Sequence, residues 1–256
     1  VAERRPLVSG NWKMNHTHYE AIQFVQTLAA LLRAAPVPAE RDLSVHPAFT
    51  ALRSVQTALE SDGVPVALGA QNCHDQENGA FTGEVSAAML AKLGVTYVIV
   101  GHSERRRYAG ETDEIVRAKV DAVLGQSMTP IVCVGETIEQ REGGLAHPTV
   151  SSQLEIALKD RPGQVIAGLV VAYEPVWAIG TGLSASTADA EEMAAHMRRE
   201  IANLAGRDAA GSVRLQYGGS VSEENAGSLL RCENLDGLLV GGASLRAESL
   251  HRIATA

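Results

Sequence analysis

The sequence predicts a closed barrel of eight parallel β-strands alternating with α-helices, a (β/α)8 architecture, as a single domain over residues 1–256. Three observations carry the prediction. Short apolar runs alternate with segments of helical periodicity from end to end, and strict alternation makes the strands parallel with helical crossovers. Eight such units in 256 residues is about 32 residues per unit, which suits a closed (β/α)8 barrel better than an open sheet. The polar and glycine clusters fall at the strand ends, where such a barrel builds its site. A doubly wound sheet would want GxGxxG after the first strand, and Asn11-Trp12-Lys13-Met14-Asn15 is not that pattern.

The elements follow in order. Leu7 to Asn11 is the first strand, and a helix begins near Thr17 with Ile22, Val25, Leu28, Leu31 and Leu32 at helical spacing. Leu43 to Pro47 is the second strand, followed by a helix carrying Leu52, Val55 and Leu59. Val66 to Gln71 is the third; a long polar loop then passes Gly79 and Thr82-Gly83-Glu84 before a short helix ending at Leu93. Tyr97 to Gly101 is the fourth strand. His102-Ser103-Glu104-Arg105-Arg106 opens a helix or turn, and Thr112 caps a helix running to Leu124. Pro130 to Val134 is the fifth strand, with a helix near Leu154 to Leu158. The apolar run Val165 to Ala172 reads as the sixth, fully buried strand, and its helix begins near Thr187. Val213 to Tyr217 and Leu235 to Val240 are the seventh and eighth, ending in Gly218-Gly219-Ser220 and Gly241-Gly242.

Composition narrows the function. The chain is 45% hydrophobic and 20% charged, with a formal net charge of −8. No basic block exceeds Arg105-Arg106-Arg107, so nucleic acid is not an expected partner. No run of 18 apolar residues and no signal-like h-region occurs, so neither a membrane span nor a secretory leader is expected. Cys73, Cys133 and Cys232 are odd in number and far apart, with no CxxC. Neither a disulfide framework nor a zinc site is expected, and reduced thiols point to the cytoplasm.

Glu174 is the first candidate catalytic residue. It ends the sixth strand, and Pro175 biases it toward extended geometry. Val176-Trp177-Ala178-Ile179 and then Gly180-Thr181-Gly182 follow, an apolar segment leading into glycines. That order suits a base on a rigid strand end beside a water-excluding flap. A lysine picked at random is a solvated surface group, but Lys13 stands with Asn11 just past the end of the first strand. His102 stands at the start of a helix or turn, whose N–H groups are expected to lower its pKa and keep it neutral. The glycine pairs Gly218-Gly219 and Gly241-Gly242 after strands seven and eight leave backbone N–H groups exposed to a phosphate. Glu104 and Arg105 are expected to form ion pairs that buttress neighbouring loops. A base, a neutral acid, a cation and a phosphate grip together suggest proton abstraction beside a carbonyl on a sugar phosphate.

Five blocks then carry a resemblance: Asn11-Trp12-Lys13-Met14-Asn15, Gly101 to Arg106, Tyr173 to Gly182, Tyr217-Gly218-Gly219-Ser220-Val221 and Leu239-Val240-Gly241-Gly242-Ala243. Together and in this order they make the chain similar to the triosephosphate isomerase family from end to end. The resemblance implies interconversion of dihydroxyacetone phosphate and D-glyceraldehyde 3-phosphate, in glycolysis and gluconeogenesis, with no cofactor. It implies Glu174 as base, His102 as electrophile, and Lys13 with Asn11 at the substrate oxygens. It gives the phosphate to the N–H groups of Gly180, Ser220, Gly241 and Gly242. This family is itself the standard example of a glutamate base and a neutral histidine behind a closing loop, so the expectation for His102 is not independent of the resemblance. The resemblance also implies a homodimer through the loop Gln71 to Glu84, with Thr82 reaching the partner. Two stretches depart from the family pattern: Leu183-Ser184-Ala185 at the second flap hinge, and His74-Asp75-Gln76 in the dimer loop.

Overall fold

A computed structural model of the chain describes residues 4–179 and 185–256. Eight strands form one closed barrel in sequence order. They are β1 (Leu7–Asn11), β2 (Asp42–His46), β3 (Ala67–Ala70), β4 (Tyr97–Val100), β5 (Thr129–Val134), β6 (Val170–Tyr173), β7 (Arg214–Tyr217) and β8 (Gly237–Val240). Every pairing is parallel, and β8 closes on β1 through the register Leu7↔Gly237 to Gly10↔Val240. All four residues of each of β4, β6 and β8 are buried, as expected of strands covered on both faces.

Alternation along the strands separates two apolar layers. Tyr97 and Ile99, Ile131 and Cys133, Val170 and Ala172, with Leu7 and Leu239, pack together inside the barrel. Their neighbours Val98, Val100, Val132, Val134, Val171 and Tyr173 pack outward with the helices. Polar residues inside are paired with one another: Ser44 Oγ donates to Ser9 Oγ at 3.0 Å, and Gln216 Nε2 donates to Ser9 Oγ and to the Leu7 carbonyl, both at 2.9 Å. Arg214 bonds Asp42 and the Tyr97 hydroxyl at the opposite end of the barrel from the glycine clusters. These contacts supply the partners that buried polar groups require.

Three expectations are corrected. The run Val165 to Ala172 is not one strand: Gly163–Ala167 is a helical turn after Pro162, and β6 starts at Val170. A short apolar run has no period that separates strand from buried helix. The helix expected near Leu154 begins earlier, at Ala146. The eighth strand begins at Gly237, not Leu235. Gly237 has φ +144°, and a Cβ there would lie 1.9 Å from the Leu7 carbonyl oxygen, so the close approach to β1 requires glycine.

Helix ends match their sequence signals. Thr112 caps Asp113–Gly125, and its hydroxyl accepts from the Ile115 N–H. Thr17 and Glu20 form a capping box on His18–Ala34. None of the described helices is long and apolar enough to cross a membrane.

Candidate active site

The strand ends enclose a cavity of about 580 Å³, lined by Asn11, Lys13, His102, Glu174, Ser220, Gly241 and Gly242 among others. All seven were singled out from the sequence, and they follow five different strands. Gly180, the eighth, lies outside the described residues, as do Thr181, Gly182, Leu183 and Ser184.

Glu174 is 2% exposed and sits one residue past β6. Its backbone is held tightly: its N–H donates to the Val134 carbonyl at 2.8 Å. Gly135 makes that approach possible, since a Cβ there would lie 1.7 Å from the Glu174 carbonyl oxygen. One carboxylate oxygen, Oε2, accepts from the Ser103 N–H at 2.8 Å. The other, Oε1, lies 2.9 Å from His102 Nε2. Burial pushes the carboxyl up, but the imidazole, the Ser103 N–H and Lys13 outweigh it and hold the group below its ordinary value. Glu174 is therefore ionised at neutral pH.

His102 is 6% exposed and caps the helix Ser103–Ala109. Its Nδ1 accepts from the Glu104 N–H at 3.2 Å. A ring nitrogen that accepts carries no proton, which leaves the proton of the neutral ring on Nε2, facing the cavity. Burial pushes the imidazole down, yet the Glu174 carboxylate outweighs it and the net shift is upward. The expectation of a lowered value is corrected on this point. The helix N–H is where it was expected, but a carboxylate 72 positions along the chain rests on the ring.

Lys13 has φ +51°, a left-handed conformation that a non-glycine residue rarely adopts. Local bonds hold it there: its N–H donates to Asn11 Oδ1 at 3.1 Å, and Gln71 Nε2 donates to its carbonyl at 2.8 Å. Its Nζ lies 2.6 Å from Glu104 Oε1. The expected pairing of Glu104 and Arg105 takes a specific form. Glu104 holds the site lysine, and Arg105 pairs with Glu111 at 2.5 Å. Sequence reasoning found both carboxylate and lysine but did not join them.

The glycines play two parts. A Cβ at Gly219 would lie 2.2 Å from the Tyr217 hydroxyl, so that glycine is demanded by packing. At Gly242 a Cβ would meet nothing within 4 Å, and at Gly241 it would meet only the Lys13 side chain, from 3.5 Å. The Gly241-Gly242 backbone thus faces open cavity beside the lysine.

Sequence reasoning missed one cluster entirely. Glu136 is fully buried, and its Oε1 accepts from Trp177 Nε1 at 2.8 Å, the Tyr173 hydroxyl at 3.0 Å and Arg141 Nη1 at 3.1 Å. Arg141 lies over the Trp177 ring at 4.5 Å and also donates to Asp189 Oδ1 at 2.7 Å. Asp189 belongs to the capping box of the helix Thr187–Ala205. Arg141 therefore ties the segment after Glu174 to the helix Thr187–Ala205. Its only sequence signal was a lone carboxylate, Glu136, just past a buried strand.

A family model described as triosephosphate isomerase matches residues 6–256. The chain is 49% identical over 251 residues to the triosephosphate isomerase of Mycobacteroides abscessus, covering 98% of this chain and 96% of that one. It is 49% identical to that of Saccharopolyspora erythraea with the same coverage. The Streptomyces avermitilis protein is 48% identical over 254 residues, covering 99% of this chain and 98% of the relative.

Proposed function

The chain belongs to the triosephosphate isomerase family and is an isomerase, and we propose that it interconverts dihydroxyacetone phosphate and D-glyceraldehyde 3-phosphate through an enediolate. The observation that carries this reading is convergence: an ionised buried glutamate, an imidazole and a lysine, from three distant strand ends, face one cavity floored by glycine backbone.

Glu174 takes the proton from the carbon beside the carbonyl and returns it to the adjacent carbon. Both of its oxygens are engaged by His102 and the Ser103 N–H, so it acts by turning from those partners toward the substrate. That turn removes the group that raises the His102 pKa. Burial and Lys13 then pull the imidazole down, with Glu104 the remaining opposing charge. A neutral His102 donates its Nε2 proton to the substrate oxygen, and a neutral donor matches the enediolate better than a cation that would give its proton away. Lys13, with Asn11, stabilises the developing negative charge. The N–H groups of Gly180, Ser220, Gly241 and Gly242 hold the phosphate. The flap beginning at Val176, anchored through Trp177 on Glu136, keeps water from an intermediate that would otherwise eliminate phosphate.

The enzyme works as a homodimer in this reading. The loop Gln71 to Glu84 exposes Phe81 and Thr82 at its tip, and Gln71 at its base bonds the Lys13 carbonyl. A second hollow beside Lys13 is lined by Met14, Phe49, Gln71 and Tyr108, of which Met14 is 94% exposed. That apolar rim suits a partner's loop tip. The buried thiols Cys73 and Cys133 fit a reducing compartment, the cytoplasm.

A coupled assay of the purified protein on glyceraldehyde 3-phosphate, run beside a sizing measurement, tests this. Turnover by a dimer is expected. Absence of turnover would remove the isomerase reading, and an active monomer would remove the dimer.

A further inference from the structure

We propose that Arg107 guides the anionic substrate into the cavity by long-range attraction. The proposal rests on the isomerase reading above. Arg107 lines the cavity and is exposed, near the end of the helix Ser103–Ala109. Its two neighbours are committed elsewhere: Arg105 to Glu111 and Arg106 to Asp113. Among the described residues Arg107 enters no ion pair. Its guanidinium lies 5.2 Å from the centre of the Tyr108 ring, itself 74% exposed.

Charge decides what the cation is for. The formally charged lining groups are Lys13 and Arg107 against Glu104 and Glu174. Lys13 is already neutralised by Glu104 at 2.6 Å. Without Arg107 the lining would carry net negative charge, on a chain whose formal charge is −8. A phosphate monoester carries about −1.5 to −2 at pH 7 and would be repelled by such a mouth. An unpaired exposed cation at the rim cancels that net negative charge, which raises the encounter rate without any lasting contact.

The test is kcat/KM for glyceraldehyde 3-phosphate from about 10 mM to about 0.5 M ionic strength, in the wild type and in Arg107→Gln, Arg107→Glu and Arg107→Lys. Screening lengths shrink from about 30 Å at 0.01 M to a few Å near 1 M. At low salt Arg107→Gln should lower kcat/KM about threefold and Arg107→Glu about tenfold, with kcat unchanged. Both should converge on the wild type at high salt, and Arg107→Lys should keep most of the wild-type salt dependence. Parallel salt profiles, or a loss that persists at high salt with a fall in kcat, would overturn the proposal. A wild type with no triose phosphate turnover would instead remove the isomerase reading, and the guide with it.

Discussion

Glu174→Gln is expected to lower kcat by about 10³-fold or more, within the range that a positioned general base contributes. The amide has the shape of the carboxylate, and its oxygen is able to keep the bond from the Ser103 N–H, so the fold and cavity should persist. It has no basic lone pair for a carbon-bound proton. Glu174→Asp keeps the base but retracts it by about one methylene, and a loss on the order of 100-fold is expected from misplacement alone. Steady-state kcat on both triose phosphates checks this, and activity within tenfold of wild type would remove Glu174 as the base.

The same substitution has a second readout at His102. The carboxylate that raises the imidazole is gone, while burial and Lys13 remain. The His102 titration should therefore move downward, and NMR of the ring nitrogens follows it. Linkage gives the sign for stability. The raised imidazole stabilises fully below its unfolded value of about 6.5 and loses that contribution as pH rises through the folded one. The lowered carboxyl stabilises fully above about 4.3 and loses its contribution as pH falls through the folded value. The pair thus helps most between about pH 4.3 and 6.5, and Glu174→Gln should narrow its stability margin there.

His102→Gln is expected to cost about 10² to 10³-fold in kcat with a modest change in KM, the size of losing one aligned donor to a developing oxyanion. Glutamine offers an amide N–H but no acceptor fixed on the Glu104 N–H. The donor would no longer be aimed by the helix start. The lost cap should also cost about 1 kcal/mol of stability, read separately by thermal melting. An unchanged kcat would take the histidine out of the mechanism.

Much of the barrel was legible because strand and helix impose different periods on the apolar residues. β1, β4, β5 and β7 lie within one residue of their expected bounds. The failure at Val165–Ala172 came where every residue is apolar and no period survives; Pro162 and Gly163, which start the helical turn there, were the overlooked signal. The site residues were legible because strand ends are where this architecture collects polar groups. Their partners were not. Glu104 reaches Lys13 across 91 positions, and the Ser103 N–H reaches Glu174 across 71. Such pairings depend on closure of the barrel, which no local pattern encodes. The upward shift of His102 was missed for the same reason. Nothing local in the sequence marks Gly135 as the position against which the Glu174 carbonyl packs.

The fate of the migrating hydrogen discriminates most sharply. Dihydroxyacetone phosphate is isomerised in D2O, and the glyceraldehyde 3-phosphate is examined by NMR at carbon 2. If a carboxylate carries the proton between adjacent carbons while His102 polarises the oxygens, deuterium appears at carbon 2 with the wild type, and product formation collapses with Glu174→Gln. Product that retains its original hydrogen in full, formed as fast by Glu174→Gln as by wild type, would mean direct transfer between carbons and would contradict the assignment of Glu174.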